Sequence, residues 1–234
     1  NSDHDRAKKI FKFIQNHFNW NSRYFSSKKI NLKKSFAEKT GSVDVINLAL
    51  YNSLQAAGIK SYPVVLSTRS NGIPPDLFPV VSIFNYVIVK AEIGGKTYFL
   101  DATDKYLAYG QVDFQCLNGK VRVLDFDKGS YWEDLSANQA SISSTKLNLT
   151  LNSENAFVGT METTYTGYSA SNKREELSEK TKEQYLESIE TQNPYLEIGD
   201  YAAIDKDDLD SPLKEKFEVE FFDDSNEKKY HRIN

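Results

Sequence analysis

Residues 41–59 read GSVDVINLALYNSLQAAGI, and this segment constrains the fold more than any other. Ile46, Leu50 and Leu54 recur at helical spacing, and Ala49 and Ala57 widen the apolar stripe beyond one face. A helix that is apolar on more than one side belongs in the middle of a domain, with other layers packed around it. Both ends carry stop signals. Ser42 stands where an N-cap side chain accepts from a first-turn N–H, and Gly58 where a left-handed C′ residue closes the last turn. The spacing predicts a buried helix of about four turns. Gly41 predicts a tight or left-handed bend into it.

The neighbouring segments supply the layers. Ala7, Ile10, Phe11, Ile14 and Phe18 predict a helix over 3–18, with Asp3 and Asp5 suited to its positive end and Asn19–Asn21 ending it. A polar stretch, Asn21–Lys29, leads to a short helix at Leu32–Lys39. Beyond the central helix come a β-rich run at Tyr62–Thr68 and a Pro-rich loop at Ser70–Pro79. Two strands follow, Phe84–Ile93 and Lys96–Leu100, joined by Gly94-Gly95 as a two-residue hairpin turn. A buried helix followed by antiparallel strands is an α+β pattern.

The character of the chain changes near residue 137. Ser136–Thr145 is rich in small polar residues and reads as a linker. Lys146–Leu151 and Phe157–Thr166 read as strands around a turn at Asn152–Asn155, and Phe217–Phe222 as a further strand. Leu177, Tyr185, Leu186 and Ile189 predict helix over 173–190. The expectation is two domains, 1–136 and 137–234, the second smaller, β-rich and cut short at Asn234.

Composition narrows the function classes. The 234 residues suffice for one large domain or two modest ones, and 39% hydrophobic residues suffice for a packed core. Mean hydropathy of −0.56 and 26% charged residues predict a soluble chain. No apolar run approaches the ~20 residues of a membrane helix. The polar opening NSDHDRAKKIF shows no signal peptide and has the character of a helix already under way. A net charge of −4 with mixed signs gives no basic surface for nucleic acid. Cys116 is the single cysteine, which excludes an intramolecular disulfide and a cysteine-based metal site and leaves the redox compartment open. The acidic run 205–210, DKDDLD, lacks the glycine and glutamate of a calcium loop and predicts a solvated acidic turn. No cofactor and no metal is expected. Asn148-Leu149-Thr150 is a formal glycosylation sequon inside an expected strand.

Five segments, in this order and spacing, carry a resemblance: NHFNWN at the end of the first helix, GSVDVINLALYNSLQAAGI, PVVLSTR, FNYVIV and YFLDATDKYLAYG. Over roughly residues 5–125 the chain resembles the bacterial transglutaminase-like domains, relatives of the papain-type cysteine proteases. The resemblance implies a central helix packed on an antiparallel sheet, followed by a sandwich-like β module that suits residues 140–234. It also implies a catalytic frame. That family places a nucleophilic Cys at the start of the second segment, a His at the start of the fourth and an Asp in the LDAT of the fifth. In this sequence those positions hold Val43, Tyr86 and Asp101. Acyl transfer through a thioester needs a thiolate, a base to take its proton and a carboxylate to orient the base. Val43 has no nucleophilic atom, and Tyr86 replaces the base.

The resemblance therefore implies a degenerate triad. The leading expectation is a catalytically inactive domain that binds or scaffolds within a larger exported bacterial protein, periplasmic or extracellular, with a peptide, protein or glycan as partner. Tyr86 and Asp101 are expected to face each other, the phenol donating to the carboxylate. Trp20, Ser42 and Arg69 are the further cleft candidates, Trp20 as an aromatic after the first helix and Arg69 as a carboxylate binder. A second expectation is an active acyl transferase or hydrolase with relocated residues, Cys116 or Ser42 working with His17; His4 and His231 are the other histidines. A third is a structural spacer whose cleft Tyr86 and its neighbours fill.

Overall fold

The computed structural model describes residues 2–25, 31–75 and 81–222, so His231 lies outside the described residues. The chain divides into two compact units, Asn1–Asn138 and Gln139–Asn234. Both are α+β, each built around one antiparallel sheet, with five α-helices in all among the described residues.

In the first unit, helix α1 (Asp3–His17) opens with a reciprocal cap: the Asp5 N–H donates to Ser2 Oγ and the Ser2 N–H to Asp5 Oδ2. Ala7, Phe11 and Ile14 form its buried face. Strand β1 (Asn19–Trp20), helix α2 (Leu32–Glu38) and strand β2 (Thr40–Gly41) follow, β1 and β2 pairing in parallel. They lead into the central helix α3 (Val43–Ala56). Strands β3 (Ser61–Leu66), β4 (Tyr86–Ile93), β5 (Lys96–Leu100), β6 (Gly119–Asp125) and β7 (Gly129–Leu135) form one antiparallel sheet in the order β5-β4-β3-β6-β7. Gly94 and Gly95 both have positive φ, 57° and 76°, as a two-residue hairpin turn that follows the sheet twist requires.

Ile46, Leu50 and Leu54 of α3 pack with Phe11 and Ile14 of α1 and with Val89, Ala91 and Leu100 of the sheet. Each of the larger side chains among them, Ile, Leu, Val and Phe, contributes about 1.5–3 kcal/mol by leaving water. The helix ends as its sequence predicts: the Ile59 N–H donates to the Leu54 carbonyl and the Gly58 N–H to that of Gln55, with Gly58 at φ 73°.

Its start differs from expectation in two ways. Ser42 occupies the N-cap position, yet its hydroxyl does not cap; it bonds the Asp44 carboxylate instead. Gly41 is not left-handed. It is required by space, because a Cβ there would lie 2.8 Å from Cγ1 of Val45.

The second unit contains strands β8 (Ser143–Leu151) and β9 (Phe157–Tyr165), helices α4 (Gly167–Glu179) and α5 (Lys182–Gln192), and strands β10 (Leu196–Ile204) and β11 (Leu213–Phe221). They form a single four-stranded antiparallel sheet in the order β10-β11-β9-β8. Three expectations are corrected here. The sandwich is instead one sheet with two helices, because Leu177 and Tyr185 of the helices meet Leu213, Phe217 and Val219 and do the covering that a second sheet would do. The helix expected over 173–190 is two helices, since Thr181 starts a new one with a reciprocal cap to Gln184. The linker expected over Ser136–Thr145 is shorter, because Ser143–Thr145 already pairs with Thr163–Tyr165.

Candidate functional site

The N-terminus of α3, the start of β4 and the end of β5 meet around Asp101. Tyr86 Oη donates to Asp101 Oδ2 at 2.9 Å and lies 3.0 Å from Thr103 Oγ1. Thr103 gives Asp101 Oδ1 both its hydroxyl, at 2.7 Å, and its N–H, at 3.2 Å. The Asp113 N–H reaches Oδ2 at 3.3 Å. Asn47, one turn after Val43 on the same helix face, completes the set. Its Nδ2 donates to Asp101 Oδ1 at 2.9 Å and to the Val87 carbonyl at 2.8 Å, while its Oδ1 accepts from the Ala102 N–H at 3.0 Å. Helix α3, strand β4 and the segment after β5 are thereby tied through one carboxylate and one amide.

Solvent does not reach this centre. Val43 and Asp101 are 0% exposed and Tyr86 is 3% exposed. Val43 packs with Tyr86, Ile88, Leu66, Val112 and Cys116, and the Tyr24 ring lies against Tyr86 with centroids 5.4 Å apart. The helix start is occupied as well. The Val43 N–H donates to the Arg23 carbonyl at 3.0 Å, the Asp44 N–H to the Tyr24 carbonyl at 3.2 Å and the Val45 N–H to Asp44 Oδ1 at 2.9 Å. These are the N–H groups that a helix start otherwise offers to an anion or a developing oxyanion.

Burial, and then the charge of Asp101, push the Tyr86 phenol well above its usual range, so it stays protonated and acts as a donor. Burial, followed by Asp101 and Asp113, likewise pushes the Cys116 thiol well up. Burial raises Asp113 too, with Asp101 adding to the effect against the Gln115 N–H. None of the side chains at positions 43, 86 and 101 supplies both a nucleophile and a base to deprotonate it.

The remaining candidates separate. Trp20 is 39% exposed, stacks on Tyr24 at an interplanar angle of 7° and donates Nε1–H to the Arg23 carbonyl. Arg69 is exposed and lies over the Phe114 ring, its guanidinium carbon 4.5 Å from the centroid. Tyr24 Oη donates to Gln115 Oε1 at 3.2 Å, which links the first aromatic pair to the residue beside Phe114.

His17 is engaged away from this centre. Its Nε2 lies 2.7 Å from the Phe36 carbonyl, which can only accept, and its ring stacks on Phe36 at 3.9 Å. His4 packs against Tyr98 and Tyr109. The expected pairing of His17 with Ser42 or Cys116 is thus corrected: His17 and Ser42 are committed to other partners, and Cys116 is 1% exposed in an apolar cluster. One outcome follows directly. An aromatic disulfide reagent at mildly alkaline pH should leave Cys116 unmodified in the folded chain and titrate one thiol once denaturant is added. Rapid native labelling would mean the thiol is open and activated.

Sequence reasoning missed Asn47, Thr103, Tyr24 and Asp113. Asn47 had a signal, a lone amide on an otherwise apolar helix face, and Thr103 sits within LDAT itself. Tyr24 and Asp113 had none, since each arrives from a loop. Among the described residues no group of three or more His, Cys, Asp or Glu could hold a metal ion, and no helix is long and apolar enough to cross a membrane.

The arrangement defines an α+β unit in which a central helix on an antiparallel sheet presents its start to a buried Tyr–Asp pair. No protein-family model and no curated protein matches the chain. Among solved structures it is similar to one described as a "putative protease" from Parabacteroides distasonis, 12% identical over 94% of this chain, with a TM-score of 0.42. It is also similar to one described as a "putative cysteine protease" from Cytophaga hutchinsonii, 20% identical over 43% of this chain, with a TM-score of 0.31. The chain spans 46% and 31% of the lengths of those two proteins. At these scores neither likeness carries weight beside the geometry of the site.

Proposed function

We propose that the first unit is a transglutaminase-like domain whose acyl-transfer centre has become a hydrogen-bonded core, and that the chain works by binding within a larger exported bacterial protein. The supporting observation is the double closure at the start of α3. Val43 stands where a nucleophile would be, and the Val43 and Asp44 N–H groups are held by the carbonyls of Arg23 and Tyr24. A substrate carbonyl would find neither an attacking atom nor a free donor there.

Binding then falls to the exposed rim. Trp20 on Tyr24 and Arg69 on Phe114 offer flat apolar surface with a cation beside it, suited to a peptide, protein or glycan partner. Assays of glutamine amine transfer and peptide hydrolysis should give no turnover above the blank for the whole chain. Ligand screening by thermal shift should find a partner whose affinity falls about tenfold on Trp20→Ala or Arg69→Ala. Both side chains are exposed, so those variants keep the fold. Turnover by the unaltered chain that disappears in a folded Asp101 variant would overturn the reading.

A further inference from the structure

We infer that the second unit self-associates through strand β8, its free edge pairing antiparallel with β8 of another copy. Among the described residues strand β8 is an edge: in the sheet order β10-β11-β9-β8 it has β9 on one side only. An unpaired strand edge is a row of backbone donors and acceptors that templates another strand unless the sequence blunts it. The opposite edge is blunted. Strand β10, LEIGDYAAI, carries Glu197 and Asp200, and its pairing with β11 shifts register between Ile198 and Tyr201. Strand β8, SSTKLNLTL, is equally long, carries only Lys146, contains no proline and pairs with β9 without a shift.

Its residues also fit themselves. The register opposite Met161, Gly159 and Phe157 puts Leu147, Leu149 and Leu151 on the apolar, helix-covered side of the sheet. At the edge the cover runs out, leaving Leu147 and Leu151 41% and 51% exposed. Place a two-fold axis through Leu147, the middle residue of the strand. Leu147 then faces its own copy, Ser143 faces Leu151, Thr145 faces Leu149, and Lys146 faces Asn148, so no charge opposes itself. A closed two-fold pairing of this kind makes one eight-stranded sheet from two four-stranded ones and leaves β10 at both ends. The self-matching leucines and the offset lysine favour a second copy over an unrelated extended peptide, which would meet the same backbone edge without them. This inference is independent of the reading of the first unit.

Sedimentation of the whole chain from about 1 to about 300 µM, the range of a small strand-edge interface, should show reversible monomer–dimer exchange. The residue facing Lys146 sets its strength. Asn148→Lys should weaken the dimer about tenfold by opposing two pairs of like charges, and Asn148→Glu should tighten it. Asn148 is exposed on the polar side of the sheet, so neither change touches the core. The double variant Lys146→Glu with Asn148→Lys should recover what Asn148→Lys loses. A chain that stays monomeric throughout, or a dimer that Asn148→Glu does not favour over Asn148→Lys, overturns the proposal.

Discussion

Asp101→Ala is expected to lower the stability of the first unit by about 3–5 kcal/mol, the cost of leaving several buried donors without their shared acceptor. Asp101 is fully buried and accepts from the Asn47 amide, the Tyr86 phenol, the Thr103 hydroxyl and the N–H groups of Thr103 and Asp113. Alanine cannot relay these bonds to water, because Val43, Tyr86 and Ala102 around it are buried as well. With domains stable by only about 5–15 kcal/mol, the loss is a large part of the total. Tyr86→Phe removes one of the bonds and should cost about 1–2 kcal/mol. Urea titration followed by aromatic fluorescence measures both. The ranking is the informative result: Asp101→Ala far worse than Tyr86→Phe describes a shared pin, whereas equal and small losses would make the cluster incidental to folding. A double-mutant cycle between Asn47 and Asp101 should show coupling, since Asn47 also fastens Ala102 and Val87.

Arg174→Ala is the counterpart in the second unit, with an expected loss of about 3–5 kcal/mol. Arg174 projects from α4 and is 3% exposed. Its guanidinium donates to the carbonyls of Asp205, Lys206, Asp208 and Ser211 at 2.6–3.1 Å, so the acidic turn between β10 and β11 is wrapped around it. Burial lowers the Arg174 pKa, and the carboxylates of the turn oppose that shift. Alanine removes all four of these bonds and leaves the turn without its cation. Lysine has one nitrogen in place of the planar fork, so Arg174→Lys should recover only part of the loss. The readout is the denaturation midpoint together with protease cleavage inside 205–211. A midpoint for Arg174→Ala within about 1 kcal/mol of the parent would mean the turn holds itself.

The two clusters differ in what they imply about function. Around Arg174 the polar atoms are backbone carbonyls, and the fold alone explains them. Around Asp101 they are side chains from the helix start and the strand ends, in the places where the transglutaminase-like resemblance puts catalytic groups. On the proposed reading the change is small, because orienting a base and serving as a structural acceptor both require a buried, well-bonded Asp. Val43, which the resemblance aligns with the nucleophile, puts hydrocarbon at the helix start, and the 23–24 backbone takes up the donors beside it.

Local pattern carried much of this in the sequence. The apolar positions of α3, the Gly58 end, the Gly94-Gly95 hairpin and the strands at 146–151 and 157–166 depend on neighbours within a few residues, and spacing alone exposes them. The pairing of Tyr86 with Asp101 was legible for a related reason, since a hairpin brings its two strands together from the sequence. What needed the tertiary structure were contacts between segments far apart in the chain. The Arg23 and Tyr24 carbonyls close the helix start from a loop with no periodicity, and no pattern in the sequence connects them to Val43. Ser42 looks like a cap, but a hydroxyl with a carboxylate two residues away bonds that stronger acceptor once both are buried. The break between α4 and α5 and the helices that replace a second sheet were likewise decided by packing, because a charged amphipathic stretch states which side is apolar and not what it will cover. The sequence by itself determined most of the elements and the absence of any nucleophilic atom at position 43. Only the tertiary structure decided that Val43, Tyr86 and Asp101 sit in a filled, hydrogen-bonded core, because burial and hydrogen-bond satisfaction are properties of assembled segments.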